Sequence, residues 1–286
     1  MNKYLTKKEV EDYWEILIKK DFDLFIYTLS TNNLSKKWEF LFRNKILDLL
    51  VPEEVKIGTL EFSKNYCELE SSLSKSISNS NYLSIHSVMI RDLIKNLNNN
   101  SYCLIIDIDA FPLSKFAIKL SFVLATLKGI NGNIQRTNCI ENGAHLFIGP
   151  SYICFKTKSI KELKDAAWIA NERSDVSEEI TWAKPDLIDH NLFKPIKTLF
   201  KPIWALESSL KVYGIGTTFG YNNIPINYHH FYSRNFAARF HFFLISFFNY
   251  LKLRFENSKK INIKDIFKLI LKETKFAIKY LLGKII

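Results

Sequence analysis

The stretch SYCLIIDIDAFPLS, residues 101–114, constrains this chain more than any other. A run of apolar residues ends in Asp107-Ile108-Asp109, and Ala110, Phe111 and Pro112 follow. A solvated surface loop does not open with four consecutive apolar residues, so Cys103 to Ile106 read as a buried strand whose tip carries two carboxylates. The chain has 286 residues, 47% of them apolar and 24% charged, enough for one large domain, or one domain with an appendage, around a sizeable core. Its N-terminus, MNKYLTKKEVEDYWE, is charged and has no apolar leader, so no secretory signal is expected. The longest apolar run, residues 240–251, is short for a membrane span. Cys67, Cys103, Cys139 and Cys154 are scattered without metal-like spacing, which points to a reduced, cytoplasmic setting.

Periodicity organises the rest. KKEVEDYWEILIKK has helical spacing, DLFIYTLS (23–30) reads as a strand, and LSKKWEFLFRNKILDLL reads as a helix that Pro52 stops. VKIGTLEF (55–62) is the second strand, YLSIHSVMIRDLIKNL the next helix, and YCLIID the third strand. This alternation predicts an α/β fold, a Rossmann-like parallel sheet with crossover helices. After Asp109 the spacing predicts a helix over SKFAIKLSFVLATLKG. Short strand-like pieces then follow (NIQRTNC, HLFIGPSYICFK, VYGIGTTFGYNN), expected to add to the sheet or extend it antiparallel. From residue 236 two helices are expected, split near ENSKKIN. The expected division is a catalytic domain over 1–235 and a basic amphipathic helical tail over 236–286.

In a parallel α/β sheet, ligands bind outside the carboxyl ends of the strands. Residues i and i+2 of an extended chain point the same way, so Asp107 and Asp109 are expected to face one site. Two hard oxygen ligands together suit Mg²⁺ or Mn²⁺, which in turn binds phosphate oxygens. CLIIDIDAFPL resembles the D-x-D segment of nucleotide-sugar glycosyltransferases with the GT-A fold. SIHSVMIRDLI is similar to the His-containing helix before that motif, and DVSEEI (175–180) to a D-V-G-E-x-L segment found in some members. YGIGTTFGYNNIPINYHHFYSR places a His pair where such enzymes carry a late metal-binding His. The resemblance covers roughly residues 20 to 235.

The resemblance implies a Mn²⁺ or Mg²⁺ cofactor, with Asp109 as direct ligand and Asp107 reaching the metal through water or holding the ribose. His229 or His230 would complete the coordination. Thr28, Ser30 and Asn32 would lie against the base, with Glu61 and His86 also on the donor. Asp175 or Glu178 would be the catalytic base, although Ser177 stands where the pattern has Gly. Arg136 is the one basic candidate for the diphosphate. The implied partners are a nucleotide-sugar donor and a glycan or lipid-linked acceptor.

Other readings stand beside this one. A haloacid-dehalogenase-type phosphohydrolase also ends an apolar strand in Asp-x-Asp, but DIDAFP lacks the Thr or Val and the Gly-rich turn usual there. A non-catalytic binding or scaffold protein with the same fold is the third reading. GIGTTFG (214–220) lacks both the Rossmann spacing and the P-loop Lys. The net charge of +11 is concentrated in the tail, where residues 236–286 carry eleven basic and three acidic side chains. Lys264, Lys268, Lys272, Lys275 and Lys279 are spaced to form one stripe. Such a helix either lies on an anionic membrane surface, which gives a cytoplasmic protein peripheral to the membrane's inner face, or packs on the catalytic domain with a solvated basic face. With few Arg and no recognition motif, no nucleic-acid partner is expected.

Overall fold

The computed structural model describes residues 4–31, 38–62, 85–136, 146–163, 174, 177–183, 192–199, 216–230 and 236–257, with 268, 271, 272, 274, 275 and 278 of the C-terminal segment. It is a mixed α/β structure built on one nine-stranded sheet. The strands are β1 (Asp23–Thr31), β2 (Val55–Phe62), β3 (Ser101–Ile106), β4 (Ala110–Pro112), β5 (Ile130–Arg136), β6 (Leu146–Lys156), β7 (Leu192–Thr198), β8 (Thr217–Tyr221) and β9 (Ile224–His229). The helices are α1 (Lys7–Ile18), α2 (Leu41–Leu50), α3 (Ile85–Asn96), α4 (Lys115–Lys128), α5 (Thr157–Lys161), α6 (Glu178–Ala183) and α7 (Phe236–Asn257).

Local chemistry sets the helix ends. Thr6 and Glu9 close a capping box at the start of α1. Val51 turns extended after α2 because the next residue is Pro52, as the sequence predicts. Ser114 accepts from the Ala117 amide to start α4, and Gly129, at φ 88°, ends it in a conformation that glycine tolerates.

The sheet order is β2-β1-β3-β6-β5-β7-β8-β9-β4. β1 pairs in parallel with β2 and with β3, so the expected parallel unit with crossover helices is present. Its chain path leaves β1 toward one side and returns on the other, which opens a switch point at the carboxyl ends of β1 and β3. The later strands extend the sheet mainly antiparallel: β6 lies against β3 and β5, and β8 against β7 and β9. β3 and β4 are separated by three residues in the chain but stand far apart in the strand order. The sheet therefore curls, and residues 107–109 bridge its middle to its end.

Trp14, Phe122 and Tyr152 fill the core on one face of the sheet with Phe40, Phe42 and Phe111. The apolar run at 240–251 falls within α7, which packs into that core. Phe42 meets Phe243, Phe247 and Tyr250 at ring distances of 5.3, 4.8 and 5.5 Å, and Phe242 lies against Phe40 and Phe111. In the C-terminal segment, Lys268, Lys272 and Lys275 are exposed beside exposed Leu271 and Ile278, whereas Lys264 and Lys279 lie outside the described residues. Among the described residues, no helix is long and apolar enough to cross a membrane.

Candidate metal centre

β3 is buried along its whole length, and its last residue, Ile106, pairs with Thr28, three residues before the end of β1. The chain then turns instead of continuing extended. The Ala110 amide donates to the Asp107 carbonyl at 3.0 Å, closing a four-residue turn over Asp107, Ile108, Asp109 and Ala110. The Asp107 carboxylate (Oδ1) accepts from the Ile108 amide at 2.8 Å, and the Asp107 amide donates to the Ser151 carbonyl on β6. The two carboxylates are thus gathered by a turn, and not by the strand alternation that the spacing suggests.

The third member comes from the far end of the sheet. β4 pairs with β9 so that Ala110 faces His229, and the His230 amide donates to the Asp109 carbonyl at 2.9 Å. The register of β9 is fixed at its start by a two-residue hairpin loop, Asn222-Asn223, with φ of 46° and 65°. Positive φ at both loop residues gives the tight turn whose twist matches paired strands, and Asn tolerates it. The imidazole (Nε2) of His229 then lies 3.1 Å from Oδ1 of Asp109. One donor atom from each of Asp107, Asp109 and His229 lies within 4.8 Å of the others. Opposite ligands of a six-coordinate ion are roughly 4 Å apart, so small side-chain rotations would close this set around one cation.

Burial sharpens the electrostatics. Asp109 is 6% exposed, and burial pushes its carboxyl above the ordinary range although the adjacent His229 pulls it back. Asp107 adds a like charge that raises it further. A buried carboxylate of this kind gains from a positive partner. The set of two carboxylates and one imidazole suits Mn²⁺, since Mg²⁺ favours oxygen ligands.

His230 is not part of the cluster. Its Nε2 donates to the Ala238 carbonyl at 3.0 Å, and its Nδ1 accepts from the Tyr228 hydroxyl at 2.8 Å. Burial, together with His241, drives its pKa down to about 4, so it stays neutral and ties β9 to α7. Ser151, whose carbonyl accepts from the Asp107 amide, belongs to a buried polar group that no sequence motif marks. Asn133 and Asn227 exchange amide hydrogen bonds at 3.0 and 2.7 Å, and Ser151 accepts from Asn133 and Gln135. Ser151 sits where β6 loses its pairing with β5, after Gly149 and Pro150.

The remaining candidates are dispersed. Thr28 is buried, and its hydroxyl donates to that of Thr59. Ser30 and Glu61 pair across β1 and β2 at the same sheet end, but their side chains lie outside the described residues. The side chains of His86, on α3, and Arg136, on β5, also lie outside them, as do Asn32 and Asp175. Glu178 is fully buried as the first residue of α6, apart from the Asp-Asp-His group. Ser177 adopts φ 67°, the left-handed conformation that favours glycine, at the position where the resemblance expects Gly. Its hydroxyl donates to the Ile148 carbonyl, which holds α6 on β6.

No protein-family model matches the chain, and no curated protein matches it. Among solved structures, the galactosyltransferase LgtC, crystallised with donor and acceptor sugar analogues, is similar over 58% of this chain and 67% of that one. The sequence identity is 10% and the TM-score 0.34, a likeness too low to carry weight on its own.

Proposed function

We propose that this chain is a metal-dependent glycosyltransferase that moves a sugar from a nucleoside diphosphate donor to a glycan or lipid-linked acceptor. The observation that carries this reading is the convergence of Asp107, Asp109 and His229 at the carboxyl end of β3, beside the switch point with β1. Asp109 and His229 would hold Mn²⁺ directly, and Asp107, the more exposed acid, would hold it directly or through water. The bound ion would supply positive charge for the diphosphate that departs with the nucleoside.

The protein's own part is to keep these donors in place and to release the hydrogen between Asp109 and His229 when a cation replaces it. Thr28, Ser30, Asn32, Glu61 and His86 remain the proposed donor contacts; Thr28, Ser30 and Glu61 lie on β1 and β2, parallel strands whose carboxyl ends are at the same edge of the sheet as that of β3. Asp175 or Glu178 is the proposed base for the acceptor hydroxyl. The exposed Lys268, Lys272 and Lys275, next to the exposed Leu271 and Ile278, favour contact of the tail with an anionic lipid surface. Of the division into residues 1–235 and a tail, the part proposed to meet lipid is the segment after α7.

Thermal unfolding with a panel of nucleoside diphosphates, with and without Mn²⁺, tests the main reading. Stabilisation is expected only when nucleotide and Mn²⁺ are both present, and is expected to vanish in Asp109→Ala. Stabilisation by phosphate analogues alone, or phosphatase turnover lost in Asp107→Asn, would replace this reading with a phosphohydrolase. No response to any ligand would leave a binding or scaffold role. For the tail, flotation with vesicles rich in anionic lipid is expected to fall when Lys268, Lys272 and Lys275 are changed together to Glu. Unchanged flotation would remove the membrane contact.

A further inference from the structure

Arg43 projects from α2 and is 1% exposed, an unusual place for a guanidinium. Its Nε donates to the Ala110 carbonyl at 3.2 Å, and its Nη2 to the Asp107 carbonyl at 3.3 Å. Those are the first and last residues of the acidic turn. Its Nη1 donates to the side-chain oxygen (Oδ1) of Asn44 at 3.2 Å, which orients the fork. One planar group therefore grips both ends of the turn from the core side, a geometry that a lysine's single nitrogen does not reproduce. Its charge is also felt by the carboxylates of Asp107 and Asp109. A guanidinium keeps its charge at neutral pH, so Arg43 is a cation here.

The geometry points to Arg43 as the positioning residue of the metal site, which fixes the turn so that Asp107 and Asp109 meet a cation in a preformed arrangement. This inference rests on the reading of Asp107, Asp109 and His229 as a cation site. Arg43 touches no ligand itself. Before a cation binds, it offsets the repulsion between two adjacent negative groups. After a divalent ion binds, two carboxylates, the ion and Arg43 together carry one net positive charge, a favourable setting for an anionic donor.

The test is Mn²⁺ binding to the full chain, read by electron paramagnetic resonance of the free ion, for wild type, Arg43→Gln and Arg43→Lys. Circular dichroism and thermal unfolding of each variant are recorded alongside. Arg43→Gln is expected to bind Mn²⁺ 10- to 100-fold more weakly while folded, the range typical when the support of a metal ligand is removed. Arg43→Lys keeps the charge without the fork, and is expected to recover part of that loss. A folded Arg43→Gln with wild-type Mn²⁺ affinity and only a lower Tm overturns the inference, because Arg43 is then a packing residue alone. If Arg43→Gln does not fold, Arg43→Lys decides, and wild-type affinity in it overturns the role of the fork. A wild-type chain that binds no Mn²⁺ sinks the site reading itself, a result distinct from the other two.

Discussion

The two sides of the curled sheet supply the site by different routes. On one side, β1, β2 and β3 are parallel strands joined through helices, and their carboxyl ends meet at the acidic turn. On the other, β9 brings His229 to Asp109 from 120 residues further along the chain, through hairpin register and the short pairing with β4. The acids are a local product of sequence, and the imidazole is a product of topology. A change near the turn should therefore act on chemistry first, and a change in the hairpin should act through stability and register.

The largest expected effect tests the local side. Asp109→Asn keeps the shape and removes the charge, and is expected to lower Mn²⁺ affinity at least 100-fold, measured by titration of the full chain. Because burial holds the Asp109 proton more tightly in the folded than in the unfolded chain, wild-type stability in chelator is expected to fall as pH rises above the ordinary carboxylate range. Saturating Mn²⁺ should oppose that fall, and Asp109→Asn should flatten it, both read as Tm against pH. A wild-type Tm that rises with pH through this range would break the electrostatic account.

The adjacent histidines sharpen the comparison. His229→Ala is expected to weaken Mn²⁺ binding 10- to 100-fold, a loss separate from any fall in Tm through the lost contact with Asp109. His230→Ala removes a buried group with both nitrogens engaged, and is expected to cost about 2–3 kcal/mol of stability by denaturant unfolding. If the two variants gave the same profile, the division of labour between them would be wrong. Smaller still, Asn133→Ala and Asn227→Ala are each expected to cost about 1–3 kcal/mol, because each orphans the other's amide. The double variant should cost less than their sum, and a strictly additive result would show that the pair does not couple. The smallest effect lies in the hairpin: Asn223→Ala is expected to cost about 1 kcal/mol, and Asn223→Gly to lie within about 0.5 kcal/mol of wild type.

The same contrast explains what the sequence made legible. The parallel unit was readable because each strand and helix carries its own periodicity, and Pro52 marks a boundary by sterics alone. The acidic pair was readable because a buried strand ending in charge is rare. That a turn gathers the pair was not readable, since the hydrogen bond from Ala110 to Asp107 leaves no trace in residue type. Arg43 was hidden for a related reason: in a helical stretch, a buried arginine and a solvated one look alike. The choice between His229 and His230 depends on which sheet face each projects from and on the register of β9 against β4, and only the pairing decides it. The Asn222-Asn223 pair was the available signal, because two such residues between short apolar runs mark a tight hairpin. The packing of α7 was likewise foreshadowed by its phenylalanines, which need a partner surface such as Phe42.

Because residues 107–109 join β3 in the middle of the sheet to β4 at its end, the proposed cation site lies on a seam. An ion held there would act as a clasp, tying a strand of the parallel unit to the hairpin that supplies His229. Occupancy should then slow amide exchange across β8 and β9 as well as at the turn, so that a bound cation would stiffen a whole flank of the protein.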